Sequence, residues 1–254
     1  MIKLQLKIFA NSLMKSFSII FLILFFLFIG PLIVIMKGEV DFKADYRTAD
    51  RSSSHLAPDP KDESGAVIQV YVARAFNWRG AFAVHSWISV KEKDSDVYKV
   101  YQVLGWREFR NLPVLAIDED IPDRIWFNHQ PKVILDLRGD AAEKLISKID
   151  DAANNYPYPK YTLWPGPNSN TFVAYIGRQV PELGLALPSN AIGKDYLGKT
   201  KFFSKTPSAS GYQFSIFGLF GVTVASREGL EINILGLVYG IKFHPFQLLF
   251  PGFY

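Results

Sequence analysis

The chain has 254 residues, 49% of them apolar and 20% charged, with a formal net charge of +4 and a pI near 9.0. It contains no cysteine, which excludes thiolate nucleophiles, disulfides, iron–sulfur clusters and cysteine–zinc sites. The apolar content argues against wholesale disorder, the mild charge gives no sign of a nucleic-acid partner, and the length predicts one or two domains.

A mean hydropathy of +0.09 is high for a soluble chain and points to an uneven spread of apolar residues. Phe17 to Met36 carries no charge over twenty residues, enough for a helix to cross a hydrocarbon core of roughly 30 Å. The run is longer than the apolar part of a cleaved signal peptide, and no small-residue cleavage site follows it, so an uncleaved anchor is expected. Lys3, Lys7 and Lys15 precede the span, while Lys37, Lys43, Arg47 and Arg51 follow it among acidic residues. The basic counts nearly balance, and the short acid-free tail favours the cytoplasm for the N-terminal side, with the main domain outside. Residues 39–65 are polar and aperiodic and read as a linker or extended surface segment, with His55 a solvated loop histidine.

Val67–Ala73, Phe82–Val90 and Val97–Leu104 are rich in β-branched and aromatic residues and predict a three-stranded antiparallel meander. Leu112–Pro122 is loop-like with a short apolar run. Asp118, Glu119, Asp120 and Asp123 gather there without the spacing of a ligand loop, so a solvated acidic loop is expected and no metal site. Val133–Leu137 predicts another strand. Asp140 and Glu143 have the spacing of a capping box ahead of an amphipathic helix that stops at Pro157. A rigid Pro/Gly loop, Trp164–Pro167, then leads to Asn168 or Ser169 as the cap of a helix over about 171–180. Tyr212–Ala225 and Leu230–Phe243 read as two strands of one hairpin, with Ile216-Phe217-Gly218-Leu219 echoed by Ile234-Leu235-Gly236-Leu237. Their apolar content fits either a hairpin buried on the domain or one lying against the bilayer near the anchor. The chain thus divides into an anchor (1–38), a polar linker (39–65), an α+β domain (66–205) and an apolar, glycine-rich β-hairpin extension (206–254).

Four histidines, and no H-E-x-x-H, G-x-S-x-G or Walker pattern, leave few places for chemistry. The two candidates are His85, on a strand, and Ser169, at a helix N-terminus where backbone N–H groups can stabilise an oxyanion. Each alone has a plainer reading, a core histidine and a cap. Together, the His85 strand and Asn168-Ser169-Asn170-Thr171-Phe172-Val173 resemble the permuted NlpC/P60 branch of the papain-like superfamily. There the histidine strand precedes a nucleophile motif of the form N-C-x-x-F.

The resemblance implies a papain-like α+β fold with an antiparallel sheet, Ser169 in the cysteine position, His85 as general base, and an orienting polar residue on the next strand. Gln102 is the candidate for that residue and Tyr101 the alternative. Serine there demands a real base, since its hydroxyl does not ionise at neutral pH. Asn168 and Asn170 would hydrogen-bond a substrate carbonyl or merely brace the loop. Trp87 and Trp164, with Trp78, Trp106 and Trp126, would line a groove for a glycan or acyl chain or fill the core. The Val84-His85-Ser86-Trp87, Gly166–Phe172 and Ser189–Gly198 segments and the glycine-rich tail also resemble an uncharacterised family of bacterial membrane-anchored proteins, over nearly the whole chain after the anchor.

Two functions are expected from these readings. One is an envelope hydrolase or acyltransferase, single-pass in the inner membrane and facing the periplasm, using Ser169 and no cofactor. The other is a catalytically inactive relative that binds a peptidoglycan peptide, glycan or lipid. Oligomeric state is not legible.

Overall fold

The protein is described here by a computed structural model covering residues 2–253. The side chains of residues 2–10, 12 and 23 fall outside that description, so Lys3 and Lys7, on which the expected orientation partly rests, lie outside the described residues. Helix α1 (Ile2–Met36) contains an apolar stretch, Leu13–Met36, with mean hydropathy 3.2. At 1.5 Å per residue this stretch is roughly 36 Å long, sufficient to cross a membrane.

The first sheet has the strand order β4-β3-β2-β1-β5 and is antiparallel throughout. Its strands are β1 (Val67–Arg74), β2 (Val84–Lys91), β3 (Lys99–Val103), β4 (Leu115–Glu119) and β5 (Lys132–Arg138). The expected meander is present and extended by β4, the short apolar run inside the loop-like 112–122 segment. Side chains alternate between the two faces of a strand. One face, with Val84, Ile88 and Tyr101, packs under α2 (Asp140–Asn154) and α3 (Ser169–Gln179) through Ile146, Ile149, Phe172 and Ile176. The other, with Tyr71, Trp87 and Val100, carries a second cluster closed by Trp126 and Phe127.

α2 is capped by Gly139, not Asp140. Gly139 takes φ 62°, favourable for glycine, and no side chain caps the helix. Asp140 and Glu143 sit in the first turn, where their charge suits the helix dipole.

Residues 39–65 run along the domain surface and are fastened at the fully buried Asp123. Its carboxylate accepts from Ser53 Oγ (2.7 Å), Leu56 N (2.6 Å) and Ala57 N (3.1 Å), and its carbonyl accepts from Ser54 Oγ (2.7 Å). Asp123 is therefore a structural hub, not part of a solvated acidic loop.

The expected C-terminal hairpin is a larger object. A six-stranded antiparallel meander runs through β6 (Phe203–Lys205), β7 (Gly211–Ile216), β8 (Phe220–Ala225), β9 (Gly229–Ile234), β10 (Leu237–Phe243) and β11 (Phe246–Leu249). Each long strand expected from the sequence is itself a hairpin. The repeated Ile-x-Gly-Leu segments are its turns: Phe217/Gly218 and Leu235/Gly236 have positive φ at both positions, as a type I′ turn requires.

Candidate functional site

The loop before α3 holds the cis peptides Trp164–Pro165 and Gly166–Pro167 and delivers Asn168 as the N-cap. Asn168 Oδ1 accepts from Asn170 N (3.0 Å) and Thr171 N (3.1 Å), while Thr171 Oγ1 accepts from Asn168 N (3.1 Å), a reciprocal capping box. Asn168 Nδ2 donates to the carbonyls of Leu163 and Ile192, both at 3.0 Å. Asn170 Oδ1 accepts from Ser86 Oγ (2.8 Å), and its Nδ2 donates to Val84 O (2.9 Å) and Ile192 O (2.8 Å). Both asparagines are buried, with all four bonds of the Asn168 amide made and both Asn170 Nδ2 hydrogens donated, so they brace the loop.

Asn170 pins the first turn of α3 to β2 on either side of His85. Ser86 faces α3, so the alternation of the strand turns His85 toward the opposite face. There the His85 ring stacks on Trp126 with centroids 3.7 Å apart and planes 9° apart, and lies 5.7 Å from Trp87. The structure brings His85 and Gln102 together, Nε2 to Oε1 at 3.5 Å. Tyr101 points to the other face, where its hydroxyl donates to Asp150 (2.5 Å). Burial pushes the His85 pKa down to about 3, against the smaller opposing effect of the Gln102 contact, so the imidazole is neutral at physiological pH.

Ser169 is buried as the first residue of α3. Among the described residues no hydrogen bond joins its hydroxyl to His85, whose ring has Gln102 as its hydrogen-bond partner. The cap takes the N–H groups of Asn170 and Thr171 but not that of Ser169.

The tryptophans divide. Trp87 is a core residue, stacked on Tyr71 at 5.4 Å and donating Nε1 to Pro122 O at 2.7 Å. Trp126 is buried over His85, and Trp106 lies half-exposed outside it. Trp164 is half-exposed and donates to Leu235 O at 2.9 Å, tying the α3 loop to the β9–β10 turn. No cluster of three or more metal-binding side chains occurs among the described residues.

The sequence reading missed the buried charges beside α3. Lys194 Nζ meets Asp195 Oδ1 (3.0 Å) and Glu231 Oε2 (2.6 Å), and Asp195 Oδ2 accepts from Asn233 Nδ2 (3.0 Å). Burial works against the Lys194 charge, but Asp195 and Glu231 outweigh it and hold the ammonium above its usual range. The alternation of Glu231 and Asn233 with Leu230, Ile232 and Ile234 was the available signal.

Residues 65–196, spanning the first sheet, both packed helices and this buried lysine, match the model of a family described as a protein of unknown function (DUF3750). No curated protein and no solved structure matches the chain.

Proposed function

We propose that this chain, which belongs to the DUF3750 family of proteins of unknown function, is a membrane-anchored envelope protein that works by binding a ligand and not by catalysis. In this reading α1 is a single-pass anchor in a bacterial inner membrane, the folded part faces the periplasm, and a degenerate papain-like site offers a groove for an envelope peptide, glycan or lipid. The carrying observation is His85, sealed against Trp126, bonded to Gln102 and directed away from the face on which α3 packs. A serine nucleophile needs a base that holds its proton, and an imidazole with a pKa near 3 is a weak one. The use of both Nδ2 groups of Asn168 and Asn170 in bracing the loop supports the same reading.

The second reading, a serine hydrolase or acyltransferase on an envelope ester or amide, is favoured by one observation. The Ser169 N–H is left unclaimed by the cap, where it would serve as an oxyanion donor. A fluorophosphonate probe and complementation separate the two. The binding reading expects no labelling of Ser169 in the full-length protein and full complementation by Ser169→Ala. Stoichiometric labelling that Ser169→Ala abolishes, together with loss of complementation, overturns it in favour of the hydrolase.

A further inference from the structure

The β6–β11 sheet is inside out. Its inner face carries Gln213, Ser215, Thr223, Glu231 and Asn233, all buried. They are bonded to one another's neighbours and to the domain: Gln213 accepts from Arg178 (2.9 Å), Glu231 pairs with Lys194, and Asn233 bonds Asp195. Its outer face is apolar across every strand. The register places Phe214, Val222, Ile232 and Tyr239 in one row and Tyr212, Val224, Leu230, Ile241 and Leu248 in the next. Most of these side chains are exposed, Val224 by 60%. Lys205, at the end of the three-residue edge strand β6 and opposite Tyr212, is the one charged side chain among the strand residues on that face. Strands about 4.8 Å apart and about six residues long give this face a footprint on the order of 500 Å². That reaches the upper range of apolar patches on soluble monomers.

The position of the face identifies what covers it. Tyr239 Oη donates to the backbone carbonyl of Phe26, at 2.9 Å. Phe26 lies ten residues inside Met36, the end of the apolar stretch of α1. In a helix that is roughly 15 Å along the axis, about half of a 30 Å hydrocarbon core. The backbone of Pro251, just past β11, meets Gly30 so closely that a Cβ there would collide with its carbonyl oxygen. A sheet fastened to the spanning helix at this depth cannot hold its outer face at the level of bulk water.

We infer that the outer face of the β6–β11 sheet is seated in the acyl region of the bilayer leaflet that α1 crosses, making the protein monotopic as well as anchored. The polar inner face is covered by α3 and the 189–198 segment, so only apolar side chains meet lipid. Lys205 at the sheet edge reaches toward the headgroups.

The chain has no cysteine, so single-cysteine spin labels report from one place each. The full-length protein is reconstituted in vesicles of phosphatidylethanolamine and phosphatidylglycerol (3:1), labelled at Phe214→Cys, Val224→Cys or Ile232→Cys, with Glu143→Cys on the exposed side of α2 as the aqueous reference. The expected result is that collisions with a water-soluble nickel chelate fall about tenfold relative to position 143, because water is absent from the bilayer core, while collisions with oxygen rise. Nickel accessibility equal to that of position 143 overturns the inference. So does protection from both reagents with dipolar coupling between labels that persists on lipid dilution, which assigns the face to a second copy of the chain.

Discussion

His85 shows how burial decides what a residue can do. Its imidazole has one polar partner, Gln102, and two indole neighbours, and the cost of charging it there holds its pKa near 3. In an unfolded chain the same group titrates near 6.5. The unfolded state therefore binds the proton first, and stability that is complete above about pH 6.5 is lost as the pH falls toward 3, by at most about 5 kcal/mol from this residue. Asp41, Asp50 and Asp136, held below their usual range by hydrogen bonds, add their own loss in the same direction below about pH 4. His129, also lowered by burial, overlaps with His85. Denaturant unfolding between pH 5 and 6.5 isolates the histidines, and His85→Gln is expected to flatten the slope in that window, by about half a proton at pH 6.5 and nearly one at pH 5, while leaving the His129 share. An unchanged slope would mean that His85 titrates alike in the native and unfolded states.

At the scale of elements, Asn170 clamps α3 to β2 through Val84 and Ser86, and to the 189–198 segment through Ile192. Asn170→Ala leaves the Val84 carbonyl and the Ser86 hydroxyl without their partner, while Ile192 O keeps Asn168, and is expected to cost roughly 2–4 kcal/mol, read as a lower denaturant midpoint at unchanged slope. The elements themselves were largely legible. β-branched runs marked β1, β2, β3 and β5, and the helical period of Leu145, Ile146 and Ile149 marked α2. The proline loop and Asn168 placed the start of α3 within two residues. What misled was context. β4 is short, and its apolar residues run straight into carboxylates, of which Asp118 pairs with Arg107 and Asp120 with Arg124. Tyr212–Ala225 looked like one strand because the turn residues Phe217 and Leu219 are themselves apolar, and only Gly218 marks the reversal. Gln102, which the papain-like resemblance implies as the partner of His85, does lie beside it. The direction of His85 was not legible, because it depends on which face of the sheet receives α3.

At the scale of the whole molecule, the C-terminal end of α1 and residues 250–253 close on one point of the domain. Val34 of α1 packs with Val40 and Ala81, Phe28 meets Phe82 edge-on at 6.0 Å, and Arg74 pairs with Glu39 just beyond the helix. Residues 250–253 return to the same point, where Arg74 Nη1 donates to Gly252 O (3.1 Å) and Phe253 joins the apolar contact. Gly30→Leu places a side chain where the Pro251 carbonyl sits, and is expected to displace residues 250–253 at a cost of about 1–3 kcal/mol. Faster hydrogen exchange at the Phe253 amide, which donates to Phe250 O, would register the release. Exchange at the wild-type rate would show that the close approach at Gly30 does not hold the segment.

With α1 as the proposed anchor, this closure makes it a mount instead of a leash. A domain on a flexible tether sweeps a hemisphere and meets partners at many heights. One clamped at both α1 and residues 250–253 keeps a constant height and tilt over the lipid headgroups. It then searches by lateral diffusion of the entire protein, and can meet only what stands at its own level above the membrane.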